Sequence, residues 1–194
     1  METTMRKLQQ RYRRAVEDME KWDEQQSCLL SSFANASSII DRLQVLRESK
    51  NYGSLQNVTG IKEALLAKQL ESLESYFFQM KCTLKEFHEI VKSLDKIARD
   101  ANQIVKSGSS PTSKQMQLRV GIWSSLKDCL DGLKSISKMH QDEFALKSAI
   151  VSSLSWKSSS AEIADFRRLL LDQPNIPKDE VQTILDLVFA DEIS

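Results

Sequence analysis

Two histidines, three cysteines and one serine-rich stretch are the residues of this chain whose types could do chemistry. His88 and His140 each lack a second ligand at the helical spacing of an HExxH site, and a catalytic metal needs several converging donors. No metal and no cofactor is expected. Cys28, Cys82 and Cys129 are single, odd in number and without CxxC spacing, so they read as core thiols of a reducing compartment rather than a disulfide framework or zinc site. A nucleophile would need a base beside it, and GxxxxGK[ST], GxGxxG and GxSxG are all absent. The chain is therefore expected not to be an enzyme. SAIVSSLSWKSSSAEIADF at 148–166 still poses a choice between a catalytic serine loop and a hinge between helices.

Twenty-seven Lys and Arg balance twenty-seven Asp and Glu, so no global field draws the chain to nucleic acid or anionic lipid. The one basic cluster, RKLQQRYRR, is followed at once by Glu17, Asp18, Glu20, Asp23 and Glu24. It reads as a solvated or partner-facing helix face, and no direct nucleic-acid binding is expected. Ser38, Ser125, Ser159 and Thr183 each stand three residues before an acid, a spacing shared by acidophilic kinase sites and helix caps. Ser159 is the candidate phosphosite among them. No apolar run approaches the roughly 18 residues of a membrane span, and the N-terminus lacks a secretory pattern.

The elements that must carry these residues are long. Leu8, Tyr12, Ala15, Met19, Trp22, Gln26, Leu29, Phe33, Ala36, Ile40 and Leu43 alternate spacings of three and four, a heptad seam with one polar break at Gln26. A second seam runs Leu66, Leu70, Leu73, Phe77, Met80, Leu84, Phe87, Val91, Leu94, Ala98, Ala101 and Val105. Each predicts a rod of roughly 60 Å at the α-helical rise. ESKNYGSLQNVTG between them turns the chain, with Thr59 as a candidate N-cap. Gly108 and Pro111 end the second helix, and Thr112 with Gln115 has capping-box spacing for a third.

That third seam, Met116, Val120, Trp123, Leu126, Leu130, Leu133, Ser137, His140, Phe144, Lys147, Val151 and Leu154, is softened by polar residues. Polar seam positions either set pairing with another chain or mark a wet bundle end. Ser159 with Glu162 then opens a short helix, DQPNIPKDEV breaks it, and Pro177 stands at a first helical position before a last one. The expected fold is all-α: three long antiparallel helices at about 4–48, 60–106 and 113–155 form a coiled bundle over residues 1–156, and 157–194 form a C-terminal two-helix unit. Trp123 and Trp156 are its expected structural anchors. On this reading the serines cap and turn the chain.

IKEALLAKQLESLE at 61–74, GIWSSLKDCL at 121–130, VSSLSW at 151–156 and DEVQTILDLVF at 179–189 resemble, in the same order and with similar spacing, the AIRIM family, also described as a casein-kinase-substrate family. The resemblance implies a non-enzymatic adaptor of an AAA+ ATPase in late pre-60S ribosomal subunit maturation. It also implies a heterodimer with a second small helical subunit and a cytoplasmic and nuclear location. Phe166, Leu170, Val181, Ile184, Leu185 and Val188, expected to be exposed on the C-terminal helices, are the candidate docking residues. A generic coiled-coil tether of a trafficking or kinetochore-like assembly would share the heptads and is the alternative.

Overall fold

The computed structural model describes residues 2–107 and 125–190, and every regular element among them is helical. Helix α1 spans Glu2–Arg47, a 3-10 segment Ser49–Asn57, α2 Ile61–Ser107, α3 Leu126–Ser153, α4 Ser160–Asp172 and α5 Lys178–Val188. The two long tracts thus fold as continuous helices of 46 and 47 residues. Alternating three- and four-residue apolar spacing keeps one face of such a helix buried along its length.

The third tract differs from its expected span of 113–155. Ser125 closes a reciprocal capping box, its Oγ donating to Asp128 Oδ2 at 2.7 Å and accepting from Asp128 N at 3.1 Å, so α3 begins at Leu126. Thr112, Gln115, Gly108 and Pro111 lie outside the described residues. Two other starts are shifted by one position. Gly60, at φ +79°, rather than Thr59 directly precedes α2, its carbonyl accepting from Ala64 N at 3.0 Å. Pro177 is the cap of α5 rather than its first residue, with its carbonyl accepting from Val181 N at 3.1 Å.

Two compact units are formed, one from Met1–Asp23, Phe87–Ala145 and Gln173–Ser194, the other from Glu24–Glu86 and Leu146–Asp172. The grouping cuts across residue 156, since α4 belongs to the second unit and α5 to the first. In the first unit Met5, Leu8, Tyr12 and Trp22 of α1 are buried with Phe87, Leu94 and Ala101 of α2, Cys129, Leu133 and Ile136 of α3, and Val188 of α5. Gly132 lets these helices approach closely, because a side chain there would collide with the Tyr12 hydroxyl and with Ile184. Tyr12 Oη donates to the Cys129 carbonyl at 2.7 Å, which satisfies a hydroxyl that burial keeps protonated far above the usual tyrosine range. In the second unit Leu29, Phe33, Ile40 and Leu43 of α1 are buried with Leu73 and Met80 of α2, Ile150, Val151 and Leu154 of α3, and Ile163 and Leu170 of α4.

Candidate functional site

The residues that could do chemistry settle into structural places. His140 is buried, with Nδ1 2.8 Å from the carbonyl of Ile136 on its own helix; a carbonyl only accepts, so Nδ1 carries the proton. Its ring meets Trp22 edge-on at 4.9 Å, and Trp22 meets Phe87 at 4.3 Å. This is the setting of a core histidine. Trp22 Nε1 donates to Gln173 Oε1 at 2.8 Å, and that glutamine is held at φ 43°, in the left-handed region that lets the chain leave α4. Nearby Glu143, fully buried, accepts from Asn175 N at 3.2 Å and from Asn175 Nδ2 at 3.1 Å. The polar residues thereby clamp the turn between α4 and α5. An open groove of about 330 Å³ runs beside them, lined in part by Val16, Met19, Trp22, Ile176 and Val181.

In the second unit the polar break of the first seam has a partner. Gln26 donates Nε2 to the Leu170 carbonyl in the last turn of α4 at 2.6 Å, and its Oε1 accepts from Lys147 Nζ at 2.7 Å. Lys147 is fully buried. A helix's last carbonyls need donors, and burying a lysine demands acceptors, so one glutamine answers both needs. The seam polar residues were expected to mark another chain or a wet bundle end. Gln26 and Lys147 instead fasten α4 within this chain, and His140 Nδ1 bonds within α3.

The serine stretch is a turn and a cap, as expected. Ser158 Oγ accepts from Ser155 N at 3.0 Å, while Ser159 Oγ donates to Glu162 Oε2 at 2.8 Å and accepts from Glu162 N at 3.3 Å. The Ser159 backbone and hydroxyl hold the Glu162 carboxyl below the usual carboxylate range. Ser159 is exposed, so a kinase reaching it would have to displace this bond.

Of the six residues expected to be exposed on the last two helices, Leu170 and Val188 are instead buried, and Phe166, Val181, Ile184 and Leu185 are half-buried. Each helix turns its apolar stripe into its own unit: Gln9 Nε2 donates to the Val188 carbonyl at 3.1 Å, and Tyr12 meets Phe189 edge-on at 6.4 Å. Exposure falls on Leu169, Leu171 and Leu187. Removing residues 159–194 would therefore open both cores. Trp156, expected as an anchor, is 38% exposed because the chain leaves α3 just before it, and Trp123 lies outside the described residues. Among the described residues the buried tryptophan is Trp22, already visible as a seam residue. Cys129 is a core thiol pushed up to about 12 by burial and by Asp128, but Cys28 is exposed, since it falls beside the seam rather than on it. From the basic run, Arg11 lies 3.9 Å from Asp100 and Arg13 lies 5.9 Å from the centroid of Phe189.

Among the described residues no group of three or more His, Cys, Asp or Glu could hold a metal ion, and no helix is long and apolar enough to cross a membrane. The clearest departure from a closed core lies on α2. Leu66, Leu70 and Phe77 share one flank at spacings of four and seven, yet Leu66 and Phe77 are only half-buried and Leu70 is 39% exposed. Phe78 beside them is 67% exposed. A seam that periodicity marks as continuous is thus left partly uncovered, the condition of a helix face available to another helix. A family model described as CA109-like, ribosome biogenesis protein C1orf109-like, matches residues 2–193. No curated protein matches the chain.

Proposed function

The chain belongs to the C1orf109-like family of ribosome biogenesis proteins, the AIRIM family whose motifs it carries, and from that premise we propose that it is a non-catalytic adaptor subunit. Its assembly contains an AAA+ ATPase and acts in late pre-60S maturation, in the cytoplasm and nucleus. The ATPase, the maturation stage and a second small helical subunit are what the resemblance implies; the partly uncovered flank of α2 is the observation that supports an adaptor. Leu66, Leu70, Phe77 and Phe78 form the place where a helix of the second subunit lies, the helix-in-groove mode of recognition. The exposed Leu169 and Leu171 of α4 and Leu187 of α5 are left for the ATPase.

Co-purification of the tagged full chain from its own cells tests the reading. An AAA+ ATPase and a small helical protein are expected in stoichiometric amounts, with loss of the helical protein when Leu70 and Phe78 are both changed to Asp. The purified chain alone is expected to hydrolyse no ATP. A homo-oligomer with no ATPase would instead support the coiled-coil tether.

A further inference from the structure

One end of the second unit carries features that neither the family nor the proposed adaptor role accounts for. Four of the nine large apolar side chains exposed among the described residues, Val45, Leu55, Val58 and Trp156, come from the last turn of α1, the 3-10 segment with the residue that caps its end, and the connection after α3. Hydrogen bonds join these pieces. Lys62 Nζ donates to the Arg47 carbonyl at 2.8 Å, Asn51 Nδ2 to the Val45 carbonyl at 2.7 Å, and Gln44 Nε2 to the Ser158 carbonyl at 3.4 Å. The Arg47 guanidinium lies 4.2 Å from the centroid of the Trp156 ring, and Lys157 Nζ lies 5.0 Å from it.

The charge here is lopsided. Residues 44–63 and 154–158 carry Arg47, Lys50, Lys62 and Lys157 against Glu48 and Glu63, and Glu48 is paired with Lys50 at 3.5 Å. The carbonyls that end α1 already have donors in Lys62, Asn51 and Tyr52, whose Oη reaches the Leu46 carbonyl at 2.7 Å. The helix terminus therefore does not consume the cations on the indole. A tryptophan with an arginine and a lysine on its ring, at an end of the unit that also exposes Val45, Leu55 and Val58, has the composition of an interface anchor, because it offers apolar area at small entropic cost with charge beside it. Nucleic acid would want a broad basic field, which Glu48, Glu63 and the zero net charge deny. A protein segment combining carboxylates with apolar side chains fits both features.

We propose that this end of the second unit, centred on Trp156, Arg47 and Lys157, is a docking site for an acidic, apolar peptide segment of a partner. It is separate from the flank of α2, so either can fail without the other.

Fluorescence anisotropy of the full chain with a labelled 20-residue helical peptide, apolar on one face and Glu on the other, tests it; the peptide with Lys replacing Glu and a uridine oligonucleotide serve as comparisons. The acidic peptide is expected to bind saturably and more weakly at high salt. Affinity is expected to fall at least tenfold in Trp156→Ala and in the Arg47→Glu, Lys157→Glu pair, with the pair now favouring the Lys peptide. All the substituted residues are exposed, and unchanged circular dichroism melts are expected to show that the variants fold. Full affinity in Trp156→Ala, equal binding of the Lys peptide, binding of the oligonucleotide alone, or no saturable binding of the acidic peptide would each overturn the proposal.

Discussion

From Phe87 to Val105, α2 buries eight apolar residues in the unit it shares with the start of α1, most of α3 and α5; from Ile61 to Glu86, in the other unit, it buries only Leu73 and Met80. Eight of the nine exposed large apolar side chains among the described residues, all but Leu187, belong to that other unit. The cause is the supply of neighbours. Helix α3 lies in the first unit from Leu126 to Ala145 but ends at Ser153, so it lends the second unit little more than two turns, and α4 adds only a short helix. A heptad seam states that a face is apolar; it does not state what covers it.

The largest effect that would break this contrast concerns the tryptophans. Trp22→Ala should cost about 3–5 kcal/mol, because it empties a buried site against Phe87 and His140 and strands Gln173. Trp156→Ala should cost about 0.5 kcal/mol, as for other surface changes. Urea melts of both variants check the pair, and equal losses would mean that the second unit is as closed as the first.

Next comes Gln26→Leu, expected to cost about 1–3 kcal/mol because it leaves the Leu170 carbonyl and Lys147 each short of a bond. Limited proteolysis should then cut first around α4, and uniform cleavage would show that the glutamine does not fasten it.

Thiol labelling gives a smaller but sharper test. Cys28 should react with a maleimide in the native protein, while Cys129 should react only on unfolding, since its site is closed and its pKa is pushed up to about 12. Early labelling of Cys129 would mean that the first unit opens readily.

The smallest expected effect is at the start of α4. The Glu162 carboxyl titrates below its unfolded value of 4.5, so its contribution is complete above that pH and is lost as the pH falls through the folded value. Replacement by Gln should lower stability slightly at pH 7, where that contribution is complete, change little in acid below the folded value, and so flatten the pH dependence between the two. An unchanged acid limb would mean that the capping box is not formed in solution.

Much of this was legible along the chain because it is local. Seams of three and four mark the long helices, and Ser159 with Glu162 marks a helix start, since a cap bonds only residues three apart. Ser125 with Asp128 carried the same signal, yet apolar spacing continuing across it concealed a helix boundary. Exposure on the last two helices was misread because Leu170 and Val188 differ from Leu169 and Leu187 only in what lies opposite them.

Composition and periodicity by themselves determined an all-helical chain, the lengths of α1 and α2, the capped turn after Trp156 and the sparseness of catalytic residue types. Only the tertiary structure decided that α4 and α5 join different units, that Lys147 is buried on Gln26, and that α2 is well covered along one half alone. Helix formation and capping are settled by residues within one or two turns, whereas burial depends on segments more than a hundred residues away, such as Leu170 opposite Gln26, whose arrival no local spacing records.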